Sequence, residues 1–169
     1  MTIRQETEKD HAQVYEVVKA AFASADHSDG TEQDLVVRLR DSDAFIPELS
    51  LVAVENGNIA GHILFTRAGV DDRVVLALAP LSVLPAYQRK GIGLALMAEG
   101  HQIAKKLGFD YSVVLGHAKY YPKAGYRPAS CFGIRPPFDV SDESFMALKL
   151  NPAAGPLYGT IQYDIAFGL

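Results

Sequence analysis

The feature that most restricts the fold is the apolar run from Val74 to Leu84, taken together with the segment on its C-terminal side. A strand this hydrophobic has to be covered on both faces, since an exposed one would aggregate. A turn containing Gly91 and Gly93 comes next. Ile92, Leu96, Gly100, Ile103 and Leu107 then recur at helical spacing, and Gly108 stands where that helix should stop. Tyr111 to Leu115 reads as another strand. Strand, turn, helix and strand make a crossover unit, so the two strands run parallel in one sheet.

The rest of the chain supplies partners for that unit. Thr2 to Arg4 starts a first strand, and Asp10 with Gln13 resembles a capping box ahead of Val14, Val17, Val18 and Ala21. After a polar stretch from Ala23 to Gly30, Thr31 is placed to cap a second helix carrying Leu35, Val36 and Leu39. Phe45 to Pro47 falls outside that helix, because a proline restricts the residue before it. Leu51 to Val54 and Ile59 to Thr66 are antiparallel strands joined at Asn56-Gly57. His117 to Ala124 fits one or two helical turns, and Phe145 to Leu150 and Thr160 to Phe167 read as late strands. There is no repeat and no linker that divides the chain. The expectation is a single α/β domain over 1–169, with a mixed, mostly antiparallel sheet and helices on both faces.

Composition narrows the function by exclusion. Sixteen Lys and Arg against twenty Asp and Glu give a net charge of −4. This lends no support to broad nucleic-acid binding, which needs a concentrated basic surface. Cys131 is the single cysteine, so an intramolecular disulfide is excluded. Neither a signal-peptide pattern nor a membrane-length apolar run is present, which makes a cytoplasmic protein the expectation. Histidines 11, 27 and 101 show no metal-ligand spacing with carboxylates or with Cys131, and no metal is expected. A homodimer is the prior for oligomeric state, from the frequency of C2 assemblies alone.

The junction between the apolar strand and the amphipathic helix is where chemistry enters. Gly91 and Gly93 allow close approach of backbone to a ligand. The first turn of the helix offers N–H groups without intrahelical partners, and the helix dipole adds positive potential. Together they make a site for phosphate or pyrophosphate, with Arg89 and Lys90 adding charge. The alternative is a tight turn with two surface cations. The segment is neither a P-loop nor a dinucleotide fingerprint, since it lacks the Gly-Lys-Ser/Thr ending of one and the full glycine spacing of the other.

Gln88-Arg89-Lys90-Gly91-Ile92-Gly93 resembles the hallmark Gln/Arg-x-x-Gly-x-Gly/Ala of the GNAT family of N-acetyltransferases. Leu81-Ser82-Val83-Leu84-Pro85-Ala86-Tyr87 resembles the family's strand approach, and Tyr120-Tyr121-Pro122-Lys123-Ala124-Gly125-Tyr126 its late tyrosine motif. Val114-Leu115-Gly116 and Gly159-Thr160-Ile161-Gln162-Tyr163 are similar to a bacterial branch of small acyltransferases. The resemblance implies acetyl-CoA as co-substrate. Its diphosphate would sit on the N–H groups of Gln88 to Gly93, and its pantetheine arm along Leu81, Ser82 and Val83. Tyr126, where phenylalanine is frequent, Ala124 and His117 depart from the family pattern.

The implied reaction is direct transfer of acetyl to a primary amine of a small molecule or peptide, with no role for Cys131. A lysine-like amine has a pKa near 10.4, so only about one in 2,500 is neutral at pH 7 and removal of its proton must be assisted. A backbone N–H beside Val83 is a candidate oxyanion donor. Tyr121, four residues before Gly125, is the candidate acid for the departing thiolate, against a reading in which its ring only packs. Tyr120 reads as core. Glu32 and His62 are the candidate bases. The alternatives are a solvated carboxylate near a helix cap for Glu32 and a satisfied histidine on the sheet for His62, which would need to point into the cleft. Ser82 and His117 lie nearby in sequence without a place in a proton path. A non-catalytic acyl-CoA-binding module and an enzyme for a longer acyl-CoA are the competing functions.

Overall fold

The computed structural model describes residues 1–26 and 28–169; His27, one of the histidines excluded from a metal set above, lies outside the described residues. Among the described residues the strands are β1 (Thr2–Gln5), β2 (Phe45–Glu55), β3 (Asn58–Val70), β4 (Arg73–Val83), β5 (Tyr111–Leu115), β6 (Arg127–Pro128), β7 (Ile134–Arg135), β8 (Phe145–Lys149) and β9 (Gly159–Gln162). The α-helices are α1 (His11–Phe22), α2 (Glu32–Arg40) and α3 (Ile92–Lys106). The sheet runs β1-β2-β3-β4-β5-β8-β6, with β9 joined to the end of β3 and to β7. Its pairings are antiparallel except β4–β5 and β7–β9. This is the mixed, mostly antiparallel sheet the sequence predicts.

Alternation along the strands divides the core into two faces. Leu51 and Ala53 of β2 pack with Leu96 and Met97 of α3, whereas Val52 packs with Val14, Val17 and Val18 of α1 and Val36 and Leu39 of α2. Gly100 lets α3 settle close to the sheet, because a Cβ there would collide with the ring of Phe65. Gly108, at φ +89°, ends the helix in a left-handed conformation that a side chain would oppose.

Two irregularities set which residues face which side. Between the pairs Phe65↔Leu78 and Ile63↔Leu81, β3 has one residue and β4 has two. This bulge reverses the alternation in β4: Leu76 and Leu78 face α3 before it, and Leu81 and Val83 after it. The second irregularity is that β4 and β5 pair only at Leu76–Ser112 and Ala77–Val113. Beyond them β5 continues alongside β8 as far as Leu115, while the last residues of β4 have no strand partner on that side among the described residues.

Several sequence expectations need adjustment. The box is built by Thr7 and Asp10, not Asp10 and Gln13, and caps the 3-10 turn Glu8–Asp10 that leads into α1: the Asp10 carboxylate accepts from the Thr7 N–H at 2.8 Å and pairs with Arg4 at 2.7 Å. The Arg4 hydrogen bond dominates in holding the Asp10 pKa down to about 2. β2 begins at Phe45 rather than Leu51, since Pro47 is accommodated in an irregular stretch between Phe45 and Ser50. The last strand ends at Gln162. Ile165–Phe167 is instead a 3-10 turn, with the Asp164 carboxylate accepting from the Ala166 N–H.

Candidate active site

Where β4 and β5 part, a cleft of about 570 Å³ opens between the end of β4, the start of α3 and the segment after β5. Leu81 and Val83 form its strand side, Gln88, Arg89, Gly91 and Gly93 its loop side, and Tyr120, Tyr121 and Lys123 its far wall. Of the residues expected to hold the cofactor, Ile92 also lines it, while Ser82 and Lys90 do not. The Lys90 ammonium lies 5.6 Å from the centre of the Tyr87 ring. The Ser82 side chain is turned to the opposite face of the sheet by the alternation that brings Leu81 and Val83 to the cleft.

The loop is shaped for an anion. Arg89 and Gly91 have φ of +63° and +84°, and the Gln88 side-chain amide donates to the Val83 carbonyl at 3.1 Å, tying loop to strand. Gly91 is the N-cap of α3, and among the described residues no side chain caps the helix. The first N–H groups of α3 are therefore free to meet a ligand, with the helix dipole behind them. Gly93 serves a different purpose. A Cβ on it would collide with the Tyr120 hydroxyl, so the glycine makes room for that side chain at the cleft wall.

The two tyrosines are held edge to face at 5.2 Å, and Tyr121 meets Tyr126 in the same way at 5.8 Å. Tyr121 lies over Gly116, where a Cβ would strike its ring. Burial raises the Tyr121 pKa well above the usual phenol range, with Tyr120 adding a little. Tyr126 is anchored in turn: its hydroxyl meets His101 Nε2 at 2.9 Å and Ser112 Oγ at 2.8 Å. Tyr120, Tyr87, Leu94 and Lys123 were not singled out as ligand contacts from sequence. The signal for Tyr120 and Lys123 was their place in the motif around Tyr121.

His62 does not point into the cleft. It pairs across strands with Ser82 and Val52, so its ring lies on the α1 and α2 face, 0% exposed. Its Nε2 is 3.0 Å from Ser50 Oγ, and Ser50 donates to Glu6 at 2.6 Å. Arg40 binds both Glu6 oxygens, each at 2.9 Å. Burial works to raise the Glu6 pKa, but Arg40, His62 and Ser50 outweigh it and hold the carboxyl below its ordinary value. This group borders a second cavity of about 420 Å³, reached past His11, Asp41 and Phe45. No sequence pattern announced it, because Glu6, Arg40, Ser50 and His62 come from the connection after β1, from α2, from β2 and from β3.

Glu32 opens α2 and accepts a hydrogen bond from Ser28. Its other oxygen is buried without a protein partner among the described residues, and Glu32 lines neither cavity. His117 starts the turn before the tyrosines, its carbonyl accepting from the Tyr120 N–H at 3.0 Å. Among the described residues no group of three or more His, Cys, Asp or Glu is arranged to hold a metal, and no helix is long and apolar enough to cross a membrane.

A strand that parts from its parallel neighbour beside an uncapped, glycine-led helix is the architecture of an acyl-CoA-dependent transferase, and the chain belongs to the GNAT acetyltransferase family, whose model matches residues 12–126. It is 37% identical to the uncharacterized N-acetyltransferase YjhQ of Escherichia coli K12, over 79% of this chain and 74% of that protein. It is 27% identical to the uncharacterized N-acetyltransferase YhbS of the same organism, over 99% of this chain and 98% of that one. Among solved structures, a GNAT family acetyltransferase from Brucella melitensis, in complex with acetyl-CoA, superposes with a TM-score of 0.81 at 32% identity, covering 98% and 97% of the two chains. YhbS of Escherichia coli in complex with CoA shares the fold with a TM-score of 0.87 at 23% identity, over 99% and 92%.

Proposed function

We propose that the protein transfers the acetyl group of acetyl-CoA directly to a primary amine of a small molecule or peptide. The observation that carries this reading is the cleft itself, lined together by the uncapped start of α3, the open end of β4 and Tyr121. The diphosphate belongs on the N–H groups around Gly91 to Gly93, with Arg89 and Lys123 neutralising charge and Lys90 near the mouth. The acyl arm belongs along Leu81 to Val83, where β4 has no strand partner. The complex of the Brucella melitensis relative with acetyl-CoA supports the same donor here.

In the reaction the amine nitrogen attacks the thioester carbonyl, the carbon–sulfur bond breaks and the thiolate leaves. Tyr121 supplies the proton that the sulfur takes up. Its raised pKa keeps the hydroxyl protonated at any working pH, and the burial that disfavours the phenolate also disfavours a thiolate beside it. The test is a panel of primary amines incubated with acetyl-CoA, with released CoA measured and the acetylated product weighed by mass spectrometry. Tight acetyl-CoA binding in calorimetry with no turnover of any amine would favour a binding module instead.

A further inference from the structure

Behind Tyr121 lies a polar group that the acetyl transfer described above does not use. The Tyr126 hydroxyl is 2.9 Å from His101 Nε2 on α3 and 2.8 Å from Ser112 Oγ on β5, and all three residues are buried. The phenol oxygen can accept from one neighbour and donate to the other, and either order satisfies it. The His101 ring also meets Phe65 at 5.8 Å and Tyr126 at 5.5 Å, centre to centre. Burial, with Lys105, lowers the His101 pKa to about 4, so the imidazole in this group is neutral. A phenylalanine at 126 would fill the same space with no polar atom to satisfy. Packing alone therefore does not call for three polar side chains here, and a satisfied buried network of this kind makes its surroundings rigid.

Tyr121 is the residue in need of such support. Its ring is held by Tyr120 at 5.2 Å, by Tyr126 at 5.8 Å and by the face of Gly116, and no hydrogen bond from its hydroxyl to the described residues accompanies these contacts. The direction of the hydroxyl is thus set by what the ring touches. Of its two aromatic neighbours, Tyr120 is a half-buried residue of the cleft wall, whereas Tyr126 is core. Tyr126 is tied to Tyr121 a second time, since its backbone N–H donates to the Tyr121 carbonyl at 3.3 Å. Through His101 it is also joined to α3, the helix that opens on the anion loop.

We infer that Tyr126, clamped by His101 and Ser112, is a positioning residue that aims the Tyr121 hydroxyl at the sulfur of the departing thiolate. This rests on the acetyl-transfer reading above, in which Tyr121 is the acid. The chemical step is unchanged: the Tyr121 hydroxyl gives its proton to sulfur as the carbon–sulfur bond breaks, and Tyr126 exchanges no proton with it. What the clamp supplies is angle. A Tyr126 ring pinned at its hydroxyl by α3 and β5 is not free to slide, and the Tyr121 ring standing edge to face against it is kept from tilting in the open cleft. Proton transfer requires the donor within hydrogen-bond reach of its acceptor, and small misplacements lower rates steeply. Tyr121 is the catalytic member, and Tyr126, His101 and Ser112 act through it.

The test is a double-mutant cycle in single-turnover acetylation, at saturating acetyl-CoA, of an amine that the wild type accepts. Tyr126→Phe keeps the ring and removes its hydroxyl. It is expected to slow transfer by about 10-fold in the wild-type chain, with acetyl-CoA affinity unchanged in calorimetry. In the Tyr121→Phe chain, where there is no acid to aim, it should change the rate by less than about 2-fold. His101→Gln, whose amide can still meet the Tyr126 hydroxyl, should stay closer to the wild-type rate than His101→Leu. A purely structural role would lower the melting temperature and leave the same rate factor in both backgrounds. That result, or a wild-type rate for Tyr126→Phe, overturns the inference while leaving acetyl transfer intact. If Tyr126→Phe fails to fold, Ser112→Ala, which deletes one oxygen, goes through the same cycle and decides. A Tyr121→Phe chain as fast as wild type overturns the acid and the clamp together, and a wild type that binds acetyl-CoA but acetylates no amine overturns the whole reading.

Discussion

The Tyr120 hydroxyl lies against the α-carbon of Gly93, in the space a side chain would occupy. Loop and tyrosine motif are thus fitted to each other across the cleft, though 27 positions separate them in the sequence. Gly93→Ala is expected to lower both the melting temperature and acetyl-CoA affinity. Tyr120→Phe removes the atom in the way, so the double variant should recover most of both losses. A double-mutant cycle by thermal unfolding and calorimetry measures this coupling, and additive losses would show that the contact is unimportant.

Gly91 is constrained differently. A Cβ there meets nothing within 4 Å, and its φ of +84° is the sole objection to a side chain. Gly91→Ala should cost about 1–2 kcal/mol, while Gly91→Asn should cost less because asparagine tolerates the left-handed region. Gly91→Val should weaken acetyl-CoA binding far more than Lys105→Ala at an exposed site on α3. Calorimetry on folded variants checks the order, and equal affinities would remove the diphosphate from this loop.

Tyr121→Phe keeps the ring packed against Gly116, Tyr120 and Tyr126 and removes only the hydroxyl. Folding and acetyl-CoA affinity should be close to normal, with transfer slowed by roughly 10- to 100-fold because water partly substitutes. Single-turnover measurement is the appropriate readout, since product release can mask the chemical step. A rate equal to wild type would leave Tyr121 a packing residue.

Stability should fall in mildly acidic solution. Burial lowers the pKa of His62 to about 4, and burial with Lys105 lowers that of His101 to about 4, against 6.5 in the unfolded chain. The folded state therefore binds fewer protons between those values, and stability present above 6.5 is lost as the pH falls toward 4. Each ring should cost about 2 kcal/mol at pH 5 relative to pH 7.5. Denaturant unfolding at the two pH values reads the sum, and His101→Gln should remove about half of the difference. A pH-independent midpoint across this window would mean that both rings stay solvated.

The central unit was legible in the sequence because two periods succeed one another there, an apolar run and then a helical stripe, with glycines between. The same stretch carried the anion loop, since helix termini and glycine are local features. Leu107, placed on the helical stripe by spacing, lies just past the end of α3 as its C-cap and is 44% exposed. What could not be read was the environment of His62. Whether a strand residue faces one side or the other depends on its register with β2 and β4, and on bulges that no local pattern marks. The Glu6–Arg40–Ser50–His62 group likewise exists only once α2, β2, β3 and the connection after β1 have packed. The two-residue strands β6 and β7 were missed because they are too short to show any period.

The extra residue that β4 inserts opposite Leu64 sets the phase of everything downstream of it. Leu81 and Val83 point toward the donor cleft, and Ser82 toward His62, only because two residues rather than one separate Leu78 from Leu81. Deleting either would turn the strand over by half a period, aiming a hydroxyl at the cofactor and two aliphatic chains at the imidazole, with no side chain exchanged for another. The spacing of this segment is thus as much a part of the site as its residues.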